Sequence, residues 1–253
     1  MTWWALLVEY DGGPFIGWQR QHTGLSVQSV LETAAGKLGC GPATIAAAGR
    51  TDAGVHAAGQ VAMVDLPNRF TGEQVRDALN FHVRPHPVVV LRAAPAPHRW
   101  HPRFSATGRA YRYTILNRRS RPALQAGRVW HLPHALDTAA MAEGARHLLG
   151  YHDFTSFRAA ACQASSPLRT LDRLDILSAG DEIVVLAEAR SFLHHQVRNM
   201  VGTLALIGAG RWRPGDVIEA LAARNRAAAG PTAPAEGLCL TAVTYADDPW
   251  SRS

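Results

Sequence analysis

The chain has 253 residues, 47% of them hydrophobic and 18% charged, a balance that allows a sizeable core and either one large or two smaller domains. Lys+Arg number 26 against 20 Asp+Glu, a formal net charge of +6, and no run of about 18 consecutive apolar residues is present, so no membrane span is expected. Nearly all the base is arginine, Lys37 being the one lysine. Arginine offers a planar fork of donors that suits phosphate and stacks on bases. A basic surplus is what a nucleic-acid binder requires, although a soluble protein from a GC-rich genome would carry the same surplus.

In chain order, residues 3–10 are aromatic and aliphatic and predict a strand, not a signal peptide. Asp11, Gly12, Gly13 and Pro14 end it. Ser26 reads as an N-cap, and Val27, Val30, Leu31, Ala34, Ala35 and Leu38 recur at helical spacing, so a helix is predicted to about Gly39. Strands are expected over about 44–49 and 59–64, with a Gly-rich turn at 49–59. Thr71 caps a predicted helix to about Phe81, and 87–93 reads as a further strand.

The polar, Pro-rich connection at 95–102 places a domain junction near residue 106, giving lobes 1–106 and 107–253. Beyond it, strands are predicted at about 109–117 and 126–132, and a helix from Asp137 to Leu149. A long loop covers 150–170, and a hairpin joins 171–178 to 182–191 through Ala-Gly-Asp. Helices follow at about 193–208 and after Pro214. The Ala-, Arg- and Pro-rich stretch 224–237 reads as a mobile loop, and 237–245 as a closing strand. Short links between strand pairs favour an α+β fold of two α/β lobes with mostly antiparallel sheets, meeting at a basic active-site cleft.

Cys40, Cys162 and Cys239 are widely spaced and form no disulfide framework, which points to a reducing compartment and hence the cytoplasm. The closest of the twelve histidines are His194 and His195. No metal-ligand spacing accompanies them, and no metal is expected.

The block GRTDAGVH at 49–56 carries the strongest chemical signal. Gly49 and Gly54 permit a tight loop that presents Arg50 and Asp52 between two strands. A nearby cation holds a carboxylate ionised, and an ionised carboxylate serves as nucleophile or base. A turn whose Asp simply bonds its own backbone fits the same residues. Gly12 and Gly17 have the glycine spacing of a P-loop, but Trp18 and Gln19 stand where Lys and Ser/Thr would be needed, so no nucleoside triphosphate is implied.

GRTDAGVHA resembles the catalytic motif of the tRNA pseudouridine synthase A (TruA) family. YDGGPFIGWQRQ at 10–21, FSATGRAYRYTILN at 104–117, the block at 148–171, SFLHHQVRNMVGTL at 191–204 and EGLCLTAVTY at 236–245 are similar to its other signatures, in family order. At residues 80–86 the chain departs from the family pattern, which puts only local loop geometry in question. The resemblance implies an isomerase that converts uridine to pseudouridine at positions 38 to 40 of the tRNA anticodon arm, as a homodimer and without a cofactor. It also implies the site residues: Asp52 as the required aspartate, Arg50 holding or displacing RNA, Tyr111 stacking on the target base, and Arg198 pairing with the aspartate.

Other residues stay open on sequence alone. Tyr113 shares a strand face with Tyr111, and either is compatible with plain core. Phe154, Phe157 and Arg158 are compatible with the RNA path, and His194 and His195 with RNA contact or with the core. The rival functions are a non-catalytic RNA-binding protein on the same scaffold and an aspartate-dependent hydrolase. No second carboxylate stands at a fixed partner position to support the latter.

Overall fold

In the computed structural model, which describes residues 2–252, strand β1 (Thr2–Tyr10) is buried through Trp4, Ala5, Leu6, Val8 and Tyr10. A continuous apolar run fits a strand covered on both faces. Helix α1 (Val27–Ala35) starts at a reciprocal capping box. Ser26 Oγ accepts from Ser29 N at 3.1 Å, and Ser26 N donates back to Ser29 Oγ at 3.2 Å. The helix does not run on to residue 39 in α geometry; a wider turn over Gly36–Cys40 replaces its end, and Gly39 there takes φ 86°.

Strand β2 (Ile45–Ala47) pairs antiparallel with β3 (His56–Leu66) in the register Ile45↔Val64. β3 also pairs with β1, and the far edge of β1 takes β4 (Val88–Pro95). Helix α2 (Gly72–His82), capped by Thr71 and Gln74, packs on β4. Asn80 at its end exchanges two hydrogen bonds with Val90 on that strand, at 2.9 and 2.8 Å.

One buried carboxylate ties α1 to β2. Glu32 Oε1 accepts from Ile45 N at 3.1 Å and from Gln28 Nε2 at 2.9 Å, and Oε2 lies 2.9 Å from Arg20 Nε. Glu32→Ala leaves the buried Ile45 amide without this acceptor. The expected cost is about 1–3 kcal/mol, read as a lower thermal midpoint. An unchanged midpoint would show that the contact contributes nothing net.

The chain then enters its second unit. Strand β5 (Ala106–Leu116) pairs antiparallel with β9 (Glu182–Ala189), β9 with β8 (Leu168–Ala179), and β8 with β7 (Gly150–Asp153). The strand expected at 126–132 shrinks to β6 (Trp130–His131), which runs parallel to β5. The hairpin between β8 and β9 turns through Gly180 and Asp181, with Gly180 at φ 59°. Helix α3 (Thr138–Arg146), capped by Asp137, packs on β8 and on α4 (Gln196–Gly208), and α5 (Asp216–Ala223) follows.

Two expectations for this unit are corrected. Part of the loop at 150–170 is strand β7. Phe154 and Phe157 are fully buried, their rings 6.2 Å apart at 73°, so both are core and neither lines an RNA path. Burial of each contributes about 1.5–3 kcal/mol. The stretch at 224–237, expected to be mobile, contains two short turns (Arg226–Ala228 and Ala235–Gly237) and is bonded along its length to α4. Buried polar groups on α4 need partners, and this segment supplies them to Asn199 Oδ1 and Thr203 Oγ1.

The last strand, β10 (Leu238–Tyr245), returns the chain to its beginning. By contact, the first unit comprises Met1–Gly108 together with Leu240–Ser253, and the second Arg109–Cys239. The sequence expectation drew a single line near residue 106. Tyr245 and Trp250 pack on a small core of Ala5, Ala48, Val61, Met63 and Trp100, and the Tyr245 hydroxyl donates to Pro102 O at 2.8 Å. The strand path is β4-β1-β3-β10 in the first unit and β5-β9-β8-β7 in the second. The fold is α+β with mostly antiparallel strands, as the sequence leads one to expect. Among the described residues no helix is long and apolar enough to cross a membrane.

Candidate active site

In the first unit, the segment between β2 and β3 carries Arg50 and Asp52. Its start is fixed by Ala48 N donating to Val61 O at 2.8 Å and by the buried Gln60 amide donating to Gly49 O at 2.9 Å. Thr51 is buried, and its Oγ1 lies 2.7 Å from Tyr10 Oη. Thr51 O accepts from Trp18 N at 3.0 Å, and Val55 N closes a turn onto Asp52 O at 3.2 Å. Gly54 takes φ 78° inside that turn, a conformation that favours glycine. Gly49 does not share this need: its φ is not positive, and a Cβ there would meet nothing within 4 Å. The two glycines of the motif therefore differ in role, which spacing alone did not reveal.

Below the loop lies the segment 11–18. A Cβ on Gly12 would overlap Val55 O, and one on Gly17, at φ 109°, would come within 2.7 Å of Thr51 O. Gly12 N donates to His56 Nδ1 at 3.0 Å. The glycines that imitate a P-loop are thus sites where two backbones meet. The result is a loop whose main chain is held from both ends and from beneath, with Thr51 buried, Asp52 half-buried and Arg50 exposed. A carboxylate on such a loop has a defined position yet remains reachable from solvent, which is what an attacking group or base requires.

The other two expected residues lie in the second unit. Tyr111 sits on β5 opposite Ala187 of β9, half-buried, with its ring 5.2 Å from Phe192 in an edge-on contact at 88°. Tyr113, two residues on, is fully buried. Its hydroxyl donates to Pro234 O at 2.8 Å, and burial pushes its phenol well above the ordinary range. Tyr113 is therefore core, whereas Tyr111 is only half-buried.

Arg198 lies in the first turn of α4, half-buried, with Nε donating to Ala233 O at 2.8 Å. The turn before it is built around His195, a non-glycine at φ 63°, and Gln196, whose Oε1 accepts from Leu193 N at 2.8 Å. Ala159 N donates to His194 O at 2.9 Å, which fixes the 158–162 loop to this turn. Nearby, burial pushes the Asp153 carboxyl up, but hydrogen bonding from Thr155 with Arg224 and Arg158 outweighs it and lowers the net value.

Sequence reasoning did not single out Thr51, Gln60 or Asn199. Asn199 stood out in principle: it is a polar residue among Val197, Met200 and Val201, on a helix predicted to be buried, and a buried amide must find partners.

The family model described as tRNA pseudouridine synthase matches residues 6–105 and 145–246. The chain belongs to the tRNA pseudouridine synthase family. Among its relatives, the tRNA pseudouridine synthase A of Acidiphilium cryptum is 65% identical over the whole of both chains. That of Paramagnetospirillum magneticum is 61% identical over 97% of this chain and 96% of its own. That of Rhodospirillum centenum is 58% identical over 97% of this chain and 100% of its own. As a tRNA pseudouridine synthase family member it is an isomerase acting on tRNA. The match takes in both the loop carrying Asp52 and the helix turn carrying Arg198.

Proposed function

We propose that this chain isomerises uridine to pseudouridine at positions 38 to 40 in the anticodon arm of tRNA, acting as a cytoplasmic homodimer whose protomers share one tRNA. The observation that carries the chemistry is the Asp52 loop, held by backbone contacts on three sides with its carboxylate left half-exposed. Arginines dock the phosphates, and Arg50, exposed two residues before Asp52, helps flip or hold the RNA. Turning a uridine out of its stack costs roughly a few kcal/mol. Stacking of the uracil on Tyr111 returns about 1–3 kcal/mol. Asp52 assists cleavage of the bond between C1′ and N1. The uracil rotates, C5 bonds to C1′, C5 loses its proton and N1 gains one. Arg198 is the cation that keeps the carboxylate ionised. The isomerisation is redox-neutral and needs no group carrier.

Mapping pseudouridine in total tRNA from a strain lacking this protein tests the substrate assignment. The expected result is loss confined to positions 38 to 40, restored by the wild-type chain. Loss elsewhere, with the anticodon arm unaffected, would overturn it.

A further inference from the structure

The strongest feature outside the reacting loop is a hydrogen-bonded clasp in the second unit, between α4 and the segment 225–234. Asn199 is fully buried on α4. Its Nδ2 donates to Phe157 O at 2.8 Å, and its Oδ1 accepts from Thr232 Oγ1 at 2.7 Å and Arg226 Nη2 at 3.1 Å. Arg226 turns back on its own segment, with Nη1 donating to Gly230 O at 2.9 Å and to Ala229 O at 3.3 Å, and Nη2 3.1 Å from Thr232 Oγ1. Gly230 N donates to Thr203 Oγ1 at 2.9 Å. The segment lies directly on the helix: a Cβ on Gly202 would overlap Pro231 O, and one on Gly230 would come 2.7 Å from Thr203 Cα.

The clasp ends at Arg198. Ala233 N donates to Arg198 O at 3.1 Å, and Ala233 O accepts from Arg198 Nε at 2.8 Å. One residue of the segment thus grips both the main chain and the guanidinium of Arg198. An arginine side chain carries about 2 kcal/mol of rotamer entropy when free, so a cation meant to meet one carboxylate gains from being held at Nε. Ala233 has only a buried methyl and no side-chain hydrogen bond with which to hold its carbonyl in place. Its carbonyl is only as well positioned as the segment that carries it. Arg226 is the residue that closes that segment, since a planar guanidinium reaches four acceptors at once and an ammonium does not.

We propose that Arg226, through Thr232, Asn199 and the carbonyl of Ala233, is a positioning residue that aims Arg198 during isomerisation. It does not touch the uridine. The inference rests on the proposed role of Arg198 and specifies what sets that role.

A double-mutant cycle tests it under single-turnover conditions, with tRNA affinity measured beside the rate. Arg198→Ala is expected to slow isomerisation. Arg226→Ala is expected to slow it by about 10- to 100-fold, the scale of an ångström-level misplacement, with tRNA affinity changed less than about threefold. The double variant should be no slower than Arg198→Ala, because the two act through one guanidinium. Multiplying effects, or a wild-type rate for Arg226→Ala, would overturn the positioning role. A wild-type rate for Arg198→Ala would instead remove the reading it rests on, and the two failures are thereby told apart. Should Arg226→Ala fail to fold, Thr232→Val deletes one strand of the clasp, and its cycle with Arg198→Ala is read in the same way.

Discussion

Asp52→Asn is expected to slow pseudouridine formation by at least about 10³-fold, the scale seen when a reacting group is removed, with tRNA affinity and thermal midpoint unchanged. The substitution is isosteric; it removes the charge and turns one acceptor oxygen into an NH2 donor. The loop around it is held by contacts that do not involve the carboxylate: Tyr10 to Thr51, Trp18 N to Thr51 O, Val55 N to Asp52 O, and Gln60 to Gly49. The backbone should therefore stay in place, and the loss should fall on the chemical step. Tritium release from 5-³H-uridine-labelled tRNA reads that step, because the C5 proton leaves when C5 becomes the glycosyl carbon. Release by the variant within about tenfold of wild type would take Asp52 out of the chemistry.

Gly12→Ala should have the second largest effect, although Gly12 is not itself placed in the chemistry. Its new Cβ would overlap Val55 O and lie 2.9 Å from Gly54 C, so backbone, not a flexible side chain, must give way. Overpacking of this kind costs typically about 1–3 kcal/mol and occasionally more, or a fall of roughly 6–12 °C in thermal midpoint for a loss near 3 kcal/mol. The atoms that must move belong to the turn closing on Asp52 O. A displacement of about 1 Å there adds a rate loss on the order of 100-fold. Gly49→Ala is the control, because its Cβ meets open space and its φ is not positive. It should match wild type in both readouts. If Gly12→Ala also matched, the 11–18 segment would have no part in shaping the loop.

Local signals in the sequence held well. Ser26 and Thr71 each cap a helix where expected, the helix expected to start at Asp137 does so but ends at Arg146 rather than Leu149, and the β8–β9 hairpin turns at Gly180 and Asp181. These features are decided within a few residues of themselves. What was not legible depends on partners far along the chain. Gly12 and Gly17 looked like phosphate-loop glycines because the backbone they accommodate is about forty residues away. The 224–237 stretch looked mobile from its composition, yet Asn199 and Thr203 on α4 hold it. Phe154 and Phe157 sit among Ser, Ala and Arg in sequence but are fully buried. Of the candidate site, the identities of Asp52, Arg50, Tyr111 and Arg198 came from motif resemblance. The contacts that fix the Asp52 loop came only from the fold.

The discontinuity of the first unit has a consequence during synthesis. Met1–Gly108 emerges early, but the unit is completed only by Leu240–Ser253, some 130 residues later. At about 5–20 residues per second that interval is roughly 7 to 26 s. Throughout it the edge of β3 that will meet β10 is unpaired, and the core of Ala5, Val61 and Met63 lacks Tyr245 and Trp250. A ribosome still translating residues 109–239 therefore carries the motif that holds Asp52 without its finished scaffold.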